Sequence, residues 1–250
     1  DYLNYIKKNS NYKINYFDVG SSIGSTCIFA LRLGFNIYAF EPSIYFDNLK
    51  KINLLNKFTF KKNFKIYNFA FSNNNKKKKI FYNPNNIGNI SLKKKFIAKI
   101  NKVNLKSHLV KCLTLDSFIK NNNIYKIDVI KLDVEGYIFE ILEKSSNMFK
   151  LKPILILELD PKDNNLTKIL DLLNKKNYQL RFYKKISCHD DYFFSHKDCV
   201  FLKMKINKIP LLSTKKNNKL GKIKRILKRI FKFELYGLYW TNLRNDITVD

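Results

Sequence analysis

Acidic residues are scarce in this chain: 20 Asp and Glu stand against 48 Lys and Arg, a formal charge of +28 over 250 residues. Such an excess points toward polyanionic partners, because basic side chains neutralise phosphates and release their counterions. Arginine is nevertheless rare, occurring only at positions 32, 181, 225, 229 and 244. Proteins that read phosphates or guanine edges through bidentate contacts favour the planar guanidinium fork over an ammonium. The shortage of Arg therefore argues against nucleic acid as the main substrate and for a solvated, lysine-covered surface. Abundant Asn, Ile, Phe and Tyr beside the lysines mark a drift in composition along the whole chain, of the kind an AT-rich coding sequence produces.

The four cysteines, Cys27, Cys112, Cys188 and Cys199, are scattered and form no CxxC pair, so a reduced, cytoplasmic setting is the simpler reading. His189 and His196 lie near Cys188 and Cys199, but Cys188 and His189 are adjacent and would face opposite ways on a strand. A surface hairpin accounts for them better than zinc, and no metal ligand is assigned. Nothing resembles a signal peptide. No run approaches the roughly 20 apolar residues that a membrane-spanning helix needs. The start at Asp1 rather than Met leads to the expectation of a preceding N-terminal piece.

Hydrophobic residues make up 45% and aromatic residues 15% of the chain, enough for the core of one α/β domain. Strand-length apolar runs alternate with amphipathic helical segments, the pattern of a parallel sheet covered on both faces. Strands are expected at 15–19, 36–40, 65–69, 129–133 and 154–159, with a closing antiparallel pair at 178–183 and 199–205. Helices are expected at 23–33, 45–56, 114–119, 136–146 and 166–176, with Thr114 or Asp116 capping the third. The polar stretch 73–113 is too long for a plain connection and reads as an insertion holding short strands or a lid. A catalytic domain over 1–206 is followed by a basic tail, 207–250. Within it Leu220, Ile223, Leu227, Ile230 and Phe231 fall at helical spacing among lysines and arginines. Packing on the domain is the simpler role for segment 220–233, and peripheral contact with an anionic membrane is the alternative.

Three segments carry chemistry. Asp18-Val19-Gly20-Ser21-Ser22-Ile23-Gly24 joins the first strand to the first helix, and its glycines allow a tight turn and a close helix approach. It is neither a GxGxxG dinucleotide fingerprint nor a P-loop, since no Gly-Lys-Ser/Thr follows. Glu41, at the end of the second strand, is placed to accept hydrogen bonds from both hydroxyls of a ribose. Asp133 and Glu135 follow a buried strand, and Glu158 and Asp160 close the next one. Strand alternation lets each pair share a side. Four carboxylates at one sheet edge repel unless a cation, a proton or a ligand offsets them.

Together with Phe40-Glu41-Pro42, Ala70-Phe71-Ser72, Thr114-Leu115-Asp116, Ile130-Lys131-Leu132-Asp133-Val134-Glu135-Gly136 and Pro153 through Glu158, the first segment resembles the ordered signature of FkbM-family methyltransferases. The resemblance covers roughly residues 14 to 160. It implies a Rossmann-like class I methyltransferase fold with a seven-stranded, mostly parallel α/β sheet whose last strand is antiparallel. It also implies S-adenosylmethionine as methyl donor and a hydroxyl of a sugar, glycan or secondary metabolite as acceptor. Carried over, Asp18, Gly20, Ser22 and Gly24 hold the methionine end of the cofactor. Glu41 binds the ribose, Ser72 or Asn73 lies near the adenine, and Asp133 lies near the methyl. Ser21-Ser22 stands where the family usually has Ala-Asn, and Asn73 where an Asp is common.

Methyl transfer is an in-line displacement that depends mostly on positioning, helped by a base that removes the hydroxyl proton. Asp133, Glu135 and Glu158 are the candidate bases, with His108 in the insertion as an outside choice. Asp133-Val134-Glu135-Gly136 occupies the place where an amino-directed enzyme carries an Asn-Pro-Pro-Tyr-type motif, which favours an oxygen acceptor over RNA or protein. The competing class is a non-catalytic Rossmann-like protein docking on anionic membrane or nucleic acid through its lysines and tail.

Overall fold

The computed structural model of the chain describes residues 2–58, 63–84, 86–100, 105–160, 163–186 and 189–197. The strand expected at 199–205, Cys188, Cys199 and the tail 207–250 lie outside the described residues.

In chain order the elements begin α1 (Tyr2–Lys8), β1 (Asn15–Val19), α2 (Ser25–Arg32), β2 (Asn36–Phe40), α3 (Phe46–Phe58), β3 (Phe64–Tyr67) and β4 (Ala70–Phe71). The insertion contributes β5 (Lys78–Asn83), β6 (Asn86–Ser91), α4 (Lys94–Ile100) and β7 (Lys106–Val110). There follow β8 (Cys112–Leu113), α5 (Leu115–Asn121), β9 (Val129–Leu132), α6 (Ile138–Leu142), α7 (Ser146–Lys150), β10 (Ile154–Leu159), α8 (Leu166–Lys175), β11 (Tyr178–Ile186) and β12 (His189–His196).

Seven strands form the main sheet in the order β3-β2-β1-β9-β10-β12-β11. Neighbouring strands from β3 to β10 run parallel, and only β12, the last of the seven in sequence, runs antiparallel to both of its neighbours. This is the expected Rossmann-like α/β sheet. Its closing antiparallel pair, however, is β11 with β12, so that 189–196 rather than 199–205 supplies the return strand. Far from being a surface feature, that strand lies inside the sheet, with Tyr192, Phe193 and Phe194 buried.

Strand alternation divides the interior into two cores. Phe17, Val19, Phe40, Ile130, Leu132, Leu155 and Leu157 face α5, α6, α7 and α8, while Tyr16, Ile37, Ala39, Val129, Ile154 and Ile156 face α1, α2 and α3. By the same period Asp18, Lys131 and Glu158 fall on the second face, and Asp18 and Lys131 are register partners across β1 and β9. Because β1 pairs with β2 on one side and with β9 on the other, the chain reverses its order there, and a crevice opens beyond the strand ends.

Two local details depart from the sequence pattern. The helix expected over 136–146 starts only at Ile138 and is split into α6 and α7. Glu135 and Gly136 both have positive φ, 45° and 79°, which a right-handed helix cannot accommodate. Thr114 caps α5 by accepting the Ser117 N–H at 3.0 Å. Asp116 instead accepts the Asn147 and Met148 N–H groups at the start of α7. The insertion is a three-stranded antiparallel sheet, β6-β5-β7, with α4 beside it.

Candidate active site

A cavity opens at the crevice. Its walls include Gly20 and Ser22 from the β1–α2 turn, Glu41 from the end of β2, Asp133 and Glu135 beyond β9, and Glu158 near the end of β10. Two glycine-dependent contacts shape it. Gly20 has φ 81°, and a Cβ there would lie 1.8 Å from the Asp133 carbonyl oxygen, so the turns after β1 and β9 approach each other only because residue 20 has no side chain. Gly24, with φ 85°, caps α2 outside the cavity, and a Cβ there would meet Ile52 Cδ1 at 2.4 Å, which makes its role helix packing.

Glu41 is buried, and its two oxygens accept the Ser22 N–H at 2.7 Å and the Ser43 N–H at 2.9 Å. Burial raises its pKa, and the hydrogen bonds from Ser43 and Ser22 oppose that shift. Each oxygen retains acceptor capacity toward the cavity. Phe40, Phe69 and Phe71 provide an apolar wall beside it. A carboxylate that can accept from a diol, an apolar wall of aromatic side chains and a side-chain-free turn at Gly20 together suit a bound adenosyl group.

The acidic side of the cavity is built differently. Asp133, Glu135 and Glu158 each place an oxygen within 4.8 Å of the other two, a spacing that would also suit a bound cation. Their repulsion is relieved within the protein. Lys131 is buried, and its ammonium lies 2.5 Å from Asp133 Oδ2. Burial alone would lower its pKa, but the charges of Asp133 and Asp18 outweigh it and keep Lys131 firmly protonated. Burial, reinforced by Asp133 and Asp160, pushes the Glu135 carboxyl up to about 7. Glu158 is driven further up by burial, by its hydrogen bond with Asp133 and by the charges of Asp133 and Glu135, so it is the neutral, hydrogen-bond-donating member of the group.

Of the residues expected from the sequence, Gly20, Ser22, Glu41, Asp133, Glu135 and Glu158 meet in this cavity, whereas Asp18, Gly24, Ser72, Asn73 and His108 do not line it. Asp18 lies beneath the floor, fully buried, accepting from Cys27 Sγ at 3.2 Å. Its pKa is raised by burial and drawn back by Lys131. Ser72 and Asn73 sit behind Tyr137: Ser72 Oγ is 3.4 Å from the Tyr137 hydroxyl, and Asn73 Oδ1 accepts from Lys78 at 2.7 Å. The His108 ring packs against Tyr82, with centroids 5.8 Å apart. His196 is buried beside Tyr178.

Sequence reasoning passed over Lys131, although a lysine inside the otherwise apolar run Val129–Leu132 is itself a signal of a buried charge partner. It also missed Tyr45, Tyr137, Ser91 and the apolar group Ile80, Ile90 and Leu92, all of which line the cavity. The last four come from the insertion, whose lysine- and asparagine-rich sequence carries no pattern that singles them out.

Comparison with known proteins bears on what such a cavity serves. Among solved structures, methyltransferase FkbM from Methylobacillus flagellatus KT is similar at a TM-score of 0.51 and 18% identity, over 74% of this chain and 44% of that one. Ribosomal protein L11 methylase from Lactobacillus delbrueckii subsp. bulgaricus aligns at a TM-score of 0.45 and 12% identity, over 78% and 76% of the two chains. M. capricolum TrmK, solved with S-adenosyl-homocysteine, aligns at 0.46 and 13% identity, over 79% and 68%. At these identities the likeness is one of fold, and this chain spans less than half the length of the M. flagellatus structure. No curated protein gives a match. The model of the methyltransferase FkbM domain matches residues 18–180, well over half of the chain and the span from β1 to β11. The chain belongs to the FkbM methyltransferase family.

Proposed function

We propose that this protein is an S-adenosylmethionine-dependent O-methyltransferase acting on a hydroxyl of a sugar, glycan or other small metabolite. The observation that carries this reading is the meeting, in one cavity, of Glu41, a carboxylate suited to a ribose diol, with the closely spaced carboxyl groups of Asp133, Glu135 and Glu158. Glu41 would hold the ribose, the turn at Gly20 and Ser22 the methionine end, and Phe40, Phe69 and Phe71 the adenine side. When bound, S-adenosylmethionine supplies an electrophilic methyl on a sulfonium.

The acidic side then has a divided task. Asp133, ion-paired with Lys131, orients the acceptor oxygen. Glu158, neutral, donates to Asp133 and fixes its position. Glu135, poised near neutrality, would take the acceptor hydroxyl proton as the oxygen–methyl bond forms and the sulfur–methyl bond breaks, with S-adenosylhomocysteine as the leaving group. An anionic acceptor end fits poorly beside these carboxylates, which favours a neutral hydroxyl. The competing idea of a non-catalytic docking protein draws no support from a site with this division of carboxyl groups. The catalytic domain over 1–206, with 73–113 as an insertion that shapes the acceptor side, and a peripheral membrane contact through 220–233 belong to the same proposal. Among the described residues no helix is long and apolar enough to cross a membrane.

Calorimetric titration with S-adenosylhomocysteine tests the cofactor half. Micromolar binding that is lost in Glu41→Ala, with no response to NAD, is the expected result. A folded wild-type protein that does not bind would refute the reading. Methyl transfer to sugar and glycan acceptors, lost in Glu135→Gln, tests the other half.

A further inference from the structure

The turn that carries Glu135 has an unusual backbone. Glu135 and Gly136 are consecutive residues in the left-handed region, φ 45° and 79°, and a non-glycine residue stays there only where its surroundings over-determine it. The surroundings that do so come from the insertion. Ser91, buried at the end of β6, donates its hydroxyl to the Glu135 carbonyl at 2.7 Å and accepts the Lys93 N–H at 3.0 Å. The Lys93 ammonium donates to the Gly136 carbonyl at 2.6 Å and pairs with Glu140 at 2.8 Å. Phe96 of α4 fills the space where a Cβ on residue 136 would be, 2.4 Å from its ring. Both carbonyls of the left-handed pair are therefore held by two residues three positions or fewer from α4.

We infer that Ser91 and Lys93 are positioning residues for Glu135: by gripping the carbonyls of residues 135 and 136 they hold the turn left-handed and keep the Glu135 carboxyl in the cavity beside Asp133 and Glu158. The importance of this placement for catalysis rests on the proposed role of Glu135 as the base. The clamp itself is a property of the fold, and it makes the insertion part of the site's machinery as well as a wall. With the carbonyls released, the 135–136 peptide units would relax toward right-handed or extended backbone, and the carboxyl would swing away from Asp133.

The test uses the full chain, labelled for NMR, with Ser91→Ala, Lys93→Met and the conservative Lys93→Arg. The wild-type Cα and Cβ shifts of Glu135 carry the left-handed signature. In Ser91→Ala and in Lys93→Met this signature is lost, and exchange of the Tyr137 amide, which donates to the Val134 carbonyl at 3.2 Å, accelerates by about tenfold or more. Lys93→Arg, which can still donate to the Gly136 carbonyl, restores both. Lys93 does not line the cavity, so Lys93→Met binds S-adenosylhomocysteine within about threefold of wild type. Wild-type shifts and exchange in both Ser91→Ala and Lys93→Met, or a wild-type protein without the left-handed signature, would overturn the inference. Lys93→Met keeps the apolar stem of a half-buried side chain, so it reads the clamp even if Ser91→Ala does not fold. Failure of the wild-type protein to bind S-adenosylhomocysteine would sink the functional proposal alone, because the backbone signature needs no cofactor.

Discussion

Replacing Glu135 by glutamine is expected to make the protein more stable at alkaline pH than at acidic pH, relative to wild type. Burial and the neighbouring Asp133 and Asp160 raise the folded-state pKa of Glu135 from 4.5 to about 7. Below about 4.5 the group is protonated in folded and unfolded chains alike, and its contribution is fully present. Between about 4.5 and about 7 the unfolded chain releases the proton while the folded chain retains it, so stability falls as pH rises, by up to roughly 1.4 kcal/mol per pH unit. The upper bound is about 3 kcal/mol, which solvent screening of a half-buried carboxyl reduces to about 1–2 kcal/mol. Asp18 and Glu41 are also raised and give slopes of the same sign that are common to both proteins, whereas Glu158, itself raised in part by Glu135, is relieved in the variant and adds to the difference with the same sign. The informative quantity is therefore the difference between Glu135→Gln and wild type in urea unfolding at several pH values between about 5 and about 8. A variant that gains about 1–2 kcal/mol over that range supports the electrostatic picture of the site. A flat difference, or one that grows as pH falls, would show that Glu135 is not held among the other carboxyl groups.

Other substitutions probe the frame around it. Gly20→Ala should destabilise by about 3 kcal/mol or more, since it combines positive φ with a backbone clash at Asp133; an unchanged melting temperature would mean that the two turns do not meet as described. Lys131→Met should cost about 3–5 kcal/mol near neutral pH by leaving Asp133 and Asp18 without their buried cation. That loss should shrink in acid, where the carboxylates become neutral, and a pH-independent loss would point to packing instead. Ser22→Asn should stabilise by roughly 0.5–1 kcal/mol, because Ser22 has φ 49° and asparagine tolerates the left-handed region better; a loss measured by thermal unfolding would count against strain there.

Much of the architecture was legible in the residues because it depends on short-range periodicity. The strand-length apolar runs in Asn15–Val19, Asn36–Phe40 and Ile154–Leu159 mark strands whose faces are both covered, and the amphipathic stretches between them mark crossover helices. The glycine spacing of the β1–α2 turn, Glu41 at the end of β2 and the carboxylates after β9 and β10 were visible as local motifs. So was the order in which they meet the chain. Family resemblance rests on that same order.

Relations between segments distant in the chain were not legible. Nothing near Glu135 announces that Ser91 and Lys93 will hold its turn, since the two stretches lie 44 and 43 residues apart in the hydrogen bonds that join them. Nothing local shows that Lys131 will face Asp18 across two strands, or that Asp116 will cap a helix 31 residues away instead of its own. The hairpin at 178–196 was misplaced because its second half is as polar at its ends as a loop, and only its place between β10 and β11 makes it a strand. Periodicity and motif spacing alone determined the parallel strands, most of the helices between them and the identity of the chemical groups. Tertiary structure decided which carboxyl is neutral, which is paired and which is poised, because desolvation and charge proximity depend on distances through space that no spacing along the chain encodes.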